Sequence, residues 1–141
     1  MYRKILVGFD GSDGAKAALR HAIELACRFG AELWSVSVIE TPHWATATVG
    51  EVDEQRRLIE EELGRLQQAA RTQAAEFGLE LHAVTRMGHP AQLIVQEAQR
   101  GNFDLLVIGH SGRSGVWGVF LGTTADKVVR HAPCSVLVVR W

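Results

Sequence analysis

The stretch KILVGFDGSDGAKAALRHAIELACRFG, residues 4–30, decides the fold, because a short apolar run leads directly into a helical pattern. The run KILVGFD is almost continuously apolar, which is typical of a parallel strand buried on both faces. After it, apolar residues return every three or four positions and form one helix face. Ser12 or Asp13 is available as the cap of this helix, and Gly30 as its stop. A parallel sheet is built from such units.

The same alternation continues along the rest of the sequence. Further strands are predicted at AELWSVSVIE, LELHAVTR, DLLVIG and CSVLVVR, and helices at residues 51–78, PAQLIVQEAQR and TADKVVRHA. The apolar stripe expected on the second helix contains Leu58, Leu63, Leu66, Ala70, Ala74 and Phe77. Five strands alternating with four helices predict an α/β fold, a three-layer doubly wound parallel sheet with helices on both faces. The pattern alone does not distinguish the strand order 3-2-1-4-5 from 2-1-3-4-5.

Length and composition limit the classes of protein that fit. With 141 residues we expect a single domain, residues 1–141, and with 47% hydrophobic and 22% charged residues we expect no disorder. The formal net charge of −1 gives no general attraction to nucleic acid or to an anionic membrane. The apolar run near the start is too short for a signal peptide or a membrane span, so we expect a cytoplasmic protein. Cys27 and Cys134 are expected to be buried, reduced thiols, with a disulfide or redox pair as the alternative.

Ligands of such sheets bind at the carboxyl ends of the strands, where the strand order reverses. Asp10 follows the first strand, and its carboxylate either caps the next helix or accepts a hydrogen bond from a ligand. The segment TPHWATATVG after the second strand reads as a loop over the mouth of the crevice. After the third strand, Gly88 in RMGHP lets backbone approach a ligand closely.

The stretch GHSGRSGVWGVFLGTT, residues 109–124, follows the fourth strand and is rich in backbone donors and hydroxyls. Gly109 and Gly112 are expected to take positive φ and to turn their N–H groups toward a phosphate. Gly122 and the two threonines after it begin the next helix, where unpaired N–H groups favour an anion. Glycine serves equally for simple turns, so the composition alone leaves phosphate binding open. The fingerprints GxxxxGK[ST] and, after the first strand, GxGxxG are absent.

The spacing of these glycines, G-2x-G-9x-G-[S/T], resembles the nucleotide motif of the universal stress protein family. DLLVIGHSGRSGVWGVFLGTTADKVVRHAPCSVLVV is similar to the last third of that family, KILVGFDGSDGAKAAL to its opening, and GHPAQLIVQEA to its third helix. The resemblance covers the chain except for about residues 41–78.

The resemblance implies a Rossmann-like sheet in the order 3-2-1-4-5, related to the adenine nucleotide α-hydrolases, that binds ATP with Mg²⁺. It implies that Asp10 and Val38 hold the adenine, that the glycine loop and its hydroxyls hold ribose and phosphates, and that Arg113 contacts a phosphate. The expected site residues are Gly8, Phe9, Asp10, Val38, Met87, Gly88, Ile108, Gly109, His110, Gly112, Arg113, Gly122, Thr123 and Thr124. Gly8 and His110 depart from the family, since many members carry Pro or Ala at the first position and Ser at the second.

The resemblance also implies a homodimer formed through the last strand, Ser135 to Val139, whose apolar edge needs a cover. We expect an ATP-binding sensor or regulator of the stress response that acts on an unknown protein partner, with neither nucleic acid nor membrane as partner. No general base for a phosphate-attacking water is evident, so we expect no enzyme, or at most slow ATP hydrolysis. Two alternatives are an interaction module of the same family without nucleotide, and an adenine-nucleotide hydrolase.

Overall fold

The computed structural model describes residues 1–40, 48–110 and 123–141, which contain one sheet of five parallel strands and four helices. The elements are β1 (Lys4–Gly8), α1 (Asp13–Phe29), β2 (Glu32–Ile39), α2 (Val49–Ala75), β3 (Leu81–Met87), α3 (Pro90–Arg100), β4 (Leu105–Gly109), α4 (Thr123–His131) and β5 (Ser135–Val139). The sheet order is β3-β2-β1-β4-β5. The predicted fold class is confirmed, and the order 2-1-3-4-5 is excluded.

Helices cover both faces of the sheet, and the central strands are buried between them. Ile5 and Val7 of β1 pack in a core with α1 and the second half of α2, whereas Leu6 packs on the other face with α3 and α4. All three side chains are fully buried. Burial on both faces explains why β1 reads as a continuous apolar run, and each such side chain contributes about 1.5–3 kcal/mol.

Both ends of α1 follow the signals read in its sequence. The backbone N–H of Ala15 donates to the hydroxyl of Ser12 at 3.3 Å, so Ser12 is the cap. At the other end Gly30 takes φ of 64°, a left-handed conformation that glycine adopts without strain. Because Ser12 caps the helix, the carboxylate of Asp10 is not needed for that purpose.

Helix α2 begins two residues before the predicted start. A capping box explains the difference, because the N–H of Glu51 donates to Thr48 Oγ1 at 3.1 Å and the N–H of Thr48 donates to a Glu51 carboxylate oxygen at 3.2 Å. The predicted burial of Leu58 and Phe77 is wrong, since these side chains are 51% and 57% exposed. Residues 53–62 are all exposed, and Leu63 is the first α2 residue in the core. No helix of the described ranges has the apolar length to cross a membrane.

The two cysteines are free thiols, but only one is shielded. Cys27 was expected to be buried and is exposed, because it lies beside the buried stripe of α1 and its Sγ faces the carbonyl oxygen of Phe77 at 3.7 Å. Cys134 is half-buried. Burial, with a smaller contribution from the negative charge of Asp104, raises the pKa of the Cys134 thiol.

Candidate functional site

A cleft of about 760 Å³ lies at the carboxyl ends of β1, β2 and β4. This is the point where the strand order reverses, because the chain leaves β1 toward β2 and later returns to the other side of β1 to form β4. Its volume is in the range of small-molecule sites. The described residues that line the cleft are Gly8, Phe9, Asp10, Gly11, Ser12, Asp13, Gly14, Ala15, Val36, Val38, Glu40, Pro90, Ile94, Ile108, Gly109, His110, Thr124, Ala125 and Trp141.

Aliphatic side chains from β2, α3 and β4 line one part of the cleft. Val36, Val38, Ile94 and Ile108 all contribute to this surface. Gly8 lies beside it, and a methyl group at Gly8 would lie 3.4 Å from Ile108 Cγ2, which is ordinary van der Waals contact. Packing alone therefore does not require glycine at this position. The surface is suited to an apolar or aromatic ring.

The backbone that leads into Asp10 is fixed to β2 from both sides. The N–H of Phe9 donates to the carbonyl oxygen of Val36 at 2.9 Å. The hydroxyl of Ser37, which is buried, donates to the carbonyl oxygen of Phe9 at 2.5 Å. Asp10 therefore starts from a rigid position at the edge of the cleft.

The carboxylate of Asp10 is only partly used by the protein. Its Oδ1 accepts a hydrogen bond from the N–H of Ser12 at 2.9 Å, which closes a turn at the end of β1. No residue of the described ranges donates to Oδ2, and Asp10 is exposed. One carboxylate oxygen therefore remains as an acceptor for a ligand.

The end of β4 is held tightly against the first turn of α1. A Cβ atom on Gly109 would lie 2.4 Å from the carbonyl carbon and oxygen of Gly14, so only glycine fits. We expected Gly109 to be needed for positive φ, and this was wrong, because Gly109 is not among the glycines with positive φ. The close approach of the backbones of β4 and α1 therefore explains why Gly109 is a glycine.

His110 continues from β4 into the cleft. Its backbone N–H donates to the carbonyl oxygen of Val139 in β5 at 2.8 Å, which ties the cleft to the edge strand. Its Nε2 atom is buried and has no hydrogen-bond partner among the described residues. A buried ring nitrogen without a partner is costly, and a ligand hydroxyl or phosphate oxygen would satisfy it.

The rest of the predicted phosphate loop is only partly described. Gly112, Arg113 and Gly122 lie outside the described residues. Thr123 is the first residue of α4, and the exposed Thr124 lines the cleft. The structure therefore brings the start of α4 to the cleft, as a phosphate site requires.

The turn after β3 does not reach the cleft. Met87 is the last residue of β3, and neither it nor Gly88 is among the lining residues. Gly88 has φ of 140° and donates its N–H to the carbonyl oxygen of Ile39 at 3.0 Å. The backbone conformation of this turn explains the glycine, and Pro90 and Ile94 of α3 line the cleft instead.

Several of the described lining residues were not among the predicted site residues, and Glu40 and Trp141 are two that carry distinctive chemistry. Glu40 directly follows β2, as Asp10 follows the end of β1, so the strand-end rule could have included it. Trp141 lies two residues beyond β5 and reaches the cleft only through the tertiary structure. No local pattern could have placed its ring there.

The charges of the described lining residues are all negative. Asp10, Asp13 and Glu40 contribute carboxylates, and no lysine or arginine is among the described residues that line the cleft. The described ranges also contain no group of three His, Cys, Asp or Glu residues arranged to hold a metal ion. An anionic ligand therefore needs backbone donors, Arg113 or a cation that it brings with it.

Comparison with known proteins agrees with this fold along the chain. The model of the "Universal stress protein family" matches residues 1–140. Universal stress protein MJ0531 of Methanocaldococcus jannaschii is 33% identical over 141 residues, which are 99% of this chain and 83% of that protein.

Solved structures agree as well. Universal stress protein UspA from Lactobacillus plantarum superimposes with a TM-score of 0.82 at 30% identity, covering 99% of this chain and 98% of that one. A universal stress protein in complex with cAMP superimposes with a TM-score of 0.76 at 27% identity, covering 98% and 97%. With its sheet order, its cleft and these matches over nearly its whole length, the chain belongs to the universal stress protein family.

Proposed function

We propose that this protein binds ATP in the cleft, together with Mg²⁺, and acts as a nucleotide-dependent sensor or regulator in the stress response. The observation that carries the proposal is the cleft itself, which joins an aliphatic surface and a partly free carboxylate to the start of α4. These parts match the base, the exocyclic amino group and the phosphates of an adenine nucleotide.

Each part of the ligand has described residues of suitable chemistry. The adenine packs against Val38 and the other aliphatic residues, and its amino group donates to Asp10 Oδ2. The ribose and phosphates lie toward Gly109 and His110, where a ligand oxygen satisfies the unpartnered Nε2 atom of His110. The N-terminal turn of α4 and Arg113 complete the phosphate contacts.

The negative lining supports a role for Mg²⁺. A triphosphate carries several negative charges into a cleft with three carboxylates, and a bound divalent cation lowers this repulsion. Since Mg²⁺ is usually bound through phosphates and a few protein oxygens, no dedicated metal cage is required. ATP affinity is therefore expected to fall when Mg²⁺ is removed with a chelator.

The related protein solved with cAMP supports an adenine nucleotide as the ligand class. Chromatography of the nucleotide released from the purified, denatured protein tests the proposal. We expect ATP to co-purify, or added ATP to raise the melting temperature more than AMP or cAMP does. The absence of both effects would overturn the proposal.

We further propose that ATP turnover is at most slow. The P-loop lysine is absent from the sequence, and the strand-end carboxylate of Asp10 is assigned to the base of the nucleotide. We expect phosphate release slower than roughly 10⁻³ per second, the range of nucleotide switches without an activating partner. Faster release that persists after further purification and is lost in a cleft variant would identify an ATPase.

We propose a cytoplasmic homodimer that pairs through the outer edge of β5, where a second copy satisfies exposed backbone groups. β5 is the terminal strand of the sheet, and Val136, Leu137 and Val138 are only half-buried. A dimer leaves the cleft of each copy available to its own nucleotide.

A further inference from the structure

We infer that Trp141 is a ligand-binding residue of the cleft, seated on Gly14, and that it contacts the phosphate end of the nucleotide. This inference rests on the proposed function and adds a residue to the site that the glycine motif does not include. It concerns the β4 side of the cleft, away from the aliphatic residue Val38 of β2.

The ring of Trp141 lies directly on Gly14 in the first turn of α1. A Cβ atom on Gly14 would lie 2.7 Å from Trp141 Cζ3 and 3.0 Å from Cη2, so any side chain at this position would displace the ring. The same Cβ atom would lie 3.0 Å from the carbonyl oxygen of His110. Gly14 thus creates the seat of Trp141 next to the end of β4.

The position of this seat identifies the part of the ligand that it meets. Gly14 packs on Gly109 of β4, whereas Val38 belongs to β2 on the other side of β1. Neighbouring strands lie about 4.8 Å apart, so two strand intervals separate the sites by roughly 10 Å. A nucleotide with its base at Val38 therefore extends its phosphates toward Trp141.

The indole adds an exposed aromatic surface and an uncharged hydrogen-bond donor to the cleft. Trp141 is 56% exposed, so a large aromatic surface remains for a ligand to cover. The indole N–H is an uncharged donor and no acceptor, which suits phosphate oxygens. Because no lysine or arginine is among the described lining residues, such a donor has a larger share in phosphate recognition.

Calorimetry with ATP·Mg²⁺ and with adenosine tests the inference in three variants. Trp141→Ala is expected to raise the Kd for ATP about three- to tenfold, the usual effect of losing one aromatic contact, with less than a twofold change for adenosine. Trp141→Phe keeps a ring on the seat and is expected to recover part of the lost affinity. Trp34→Phe is the control, because Trp34 packs on His82 and Phe103 and is not a lining residue.

A double-mutant cycle tests the seat itself. Gly14→Ala is expected to weaken ATP binding at least as much as Trp141→Ala does, and to have a smaller effect in a chain that already carries Trp141→Ala, where only the contact with the carbonyl oxygen of His110 remains. Fully additive effects would show that Gly14 does not act through Trp141. They would overturn the inference that the indole of Trp141 binds the ligand while packed on Gly14.

The outcomes separate this inference from the proposed function. If wild-type protein binds ATP but Trp141→Ala leaves its Kd unchanged or lowers it, only the inference is overturned. Equal losses for ATP and adenosine would also overturn it, because the contact would not be with the phosphates. If wild-type protein binds no ATP, the proposed function fails and the inference with it.

Discussion

Asp10 has the most specific chemistry among the single residues of the cleft, because one of its carboxylate oxygens closes a turn and the other is available to a ligand. Asp10→Asn keeps an oxygen that can accept from the N–H of Ser12 and replaces the free acceptor with an amide donor. We predict that its Kd for ATP rises by about tenfold or more, as expected for a lost hydrogen bond to a charged group. Equilibrium titration with ATP·Mg²⁺ measures the change.

The same substitution is predicted to reverse the preference for the base. Inosine triphosphate carries a carbonyl oxygen where ATP has its amino group, so Asp10→Asn should favour inosine triphosphate over ATP. Asp53→Asn, on the exposed side of α2, is the matched control and should bind like the wild type. Unchanged base preference in Asp10→Asn would remove Asp10 from base recognition.

Gly109 is required because β4 and α1 pack closely at this point, so its replacement is predicted to lower the stability of the protein. Gly109→Ala places a methyl group against the carbonyl of Gly14, and we expect it to lower the free energy of unfolding by about 2 kcal/mol or more. Gly64→Ala is the control. Beyond the neighbouring backbone of α2, no atom of the described residues lies within 4 Å of its added Cβ, so it should stabilise the protein by about 0.5–1 kcal/mol. Urea denaturation measures both, and a neutral Gly109→Ala would contradict the packing account.

At the scale of helices and strands, the features that depend on neighbouring residues in the sequence could be predicted. The apolar run of β1, the cap at Ser12 and the stop at Gly30 were all readable and are confirmed. The start of α2 could also be predicted, since Thr48 and Glu51 have the spacing of a capping box, which places it two residues before the predicted start. The exposure of Leu58 could not be predicted, because helical periodicity does not show which turns of a helix pack against the sheet.

Some residues of the candidate site could also be predicted from the sequence, whereas others could not. Asp10 and Glu40 follow strands and could be placed at the cleft once a parallel sheet was assumed. Strand order came only from the resemblance to a family, and the role of Gly109 as a packing residue depends on how α1 meets β4. Trp141 needed the full tertiary structure, because nothing local relates it to Gly14.

An ion pair that joins β3 to α3 gives a prediction at this scale. The Arg86 guanidinium meets the Glu97 carboxylate at 3.2 Å, and the Glu97 side chain is only 10% exposed. Arg86→Met leaves that charge without its partner and is predicted to cost about 1–3 kcal/mol of unfolding free energy. Arg86→Met with Glu97→Leu should recover most of the loss, because no buried charge remains.

Thermal or urea unfolding of the variants measures this effect. The exposed pair Arg28 and Glu24 is the control, with side chains 72% and 67% exposed, and Arg28→Met should change the stability by less than about 0.5 kcal/mol. If Arg86→Met is equally mild, or if the double variant is no more stable than the single one, the pair does not join the two elements as described.

For the whole molecule, the proposed dimer gives a prediction about β5. The carbonyl of Val139 faces β4, so in an extended strand the backbone N–H of the preceding residue, Val138, points to the outer edge. Val138→Pro removes this donor without removing a hydrogen bond to β4. We predict that sedimentation gives twice the chain mass of 15.5 kDa for wild-type protein and the single mass for folded Val138→Pro. A wild-type monomer, or a dimer unaffected by Val138→Pro, would contradict pairing through β5.

Binding of ATP·Mg²⁺ to nucleotide-free protein, followed by isothermal titration calorimetry at two temperatures, tests the central claim most directly. Two temperatures are needed because the enthalpy of binding can pass through zero at one of them. The account predicts a saturable isotherm with one ATP per chain, weakened in Asp10→Asn and unchanged in Asp53→Asn. The absence of saturable heat at both temperatures, or equal binding to all three proteins, would contradict the claim that this cleft recognises ATP.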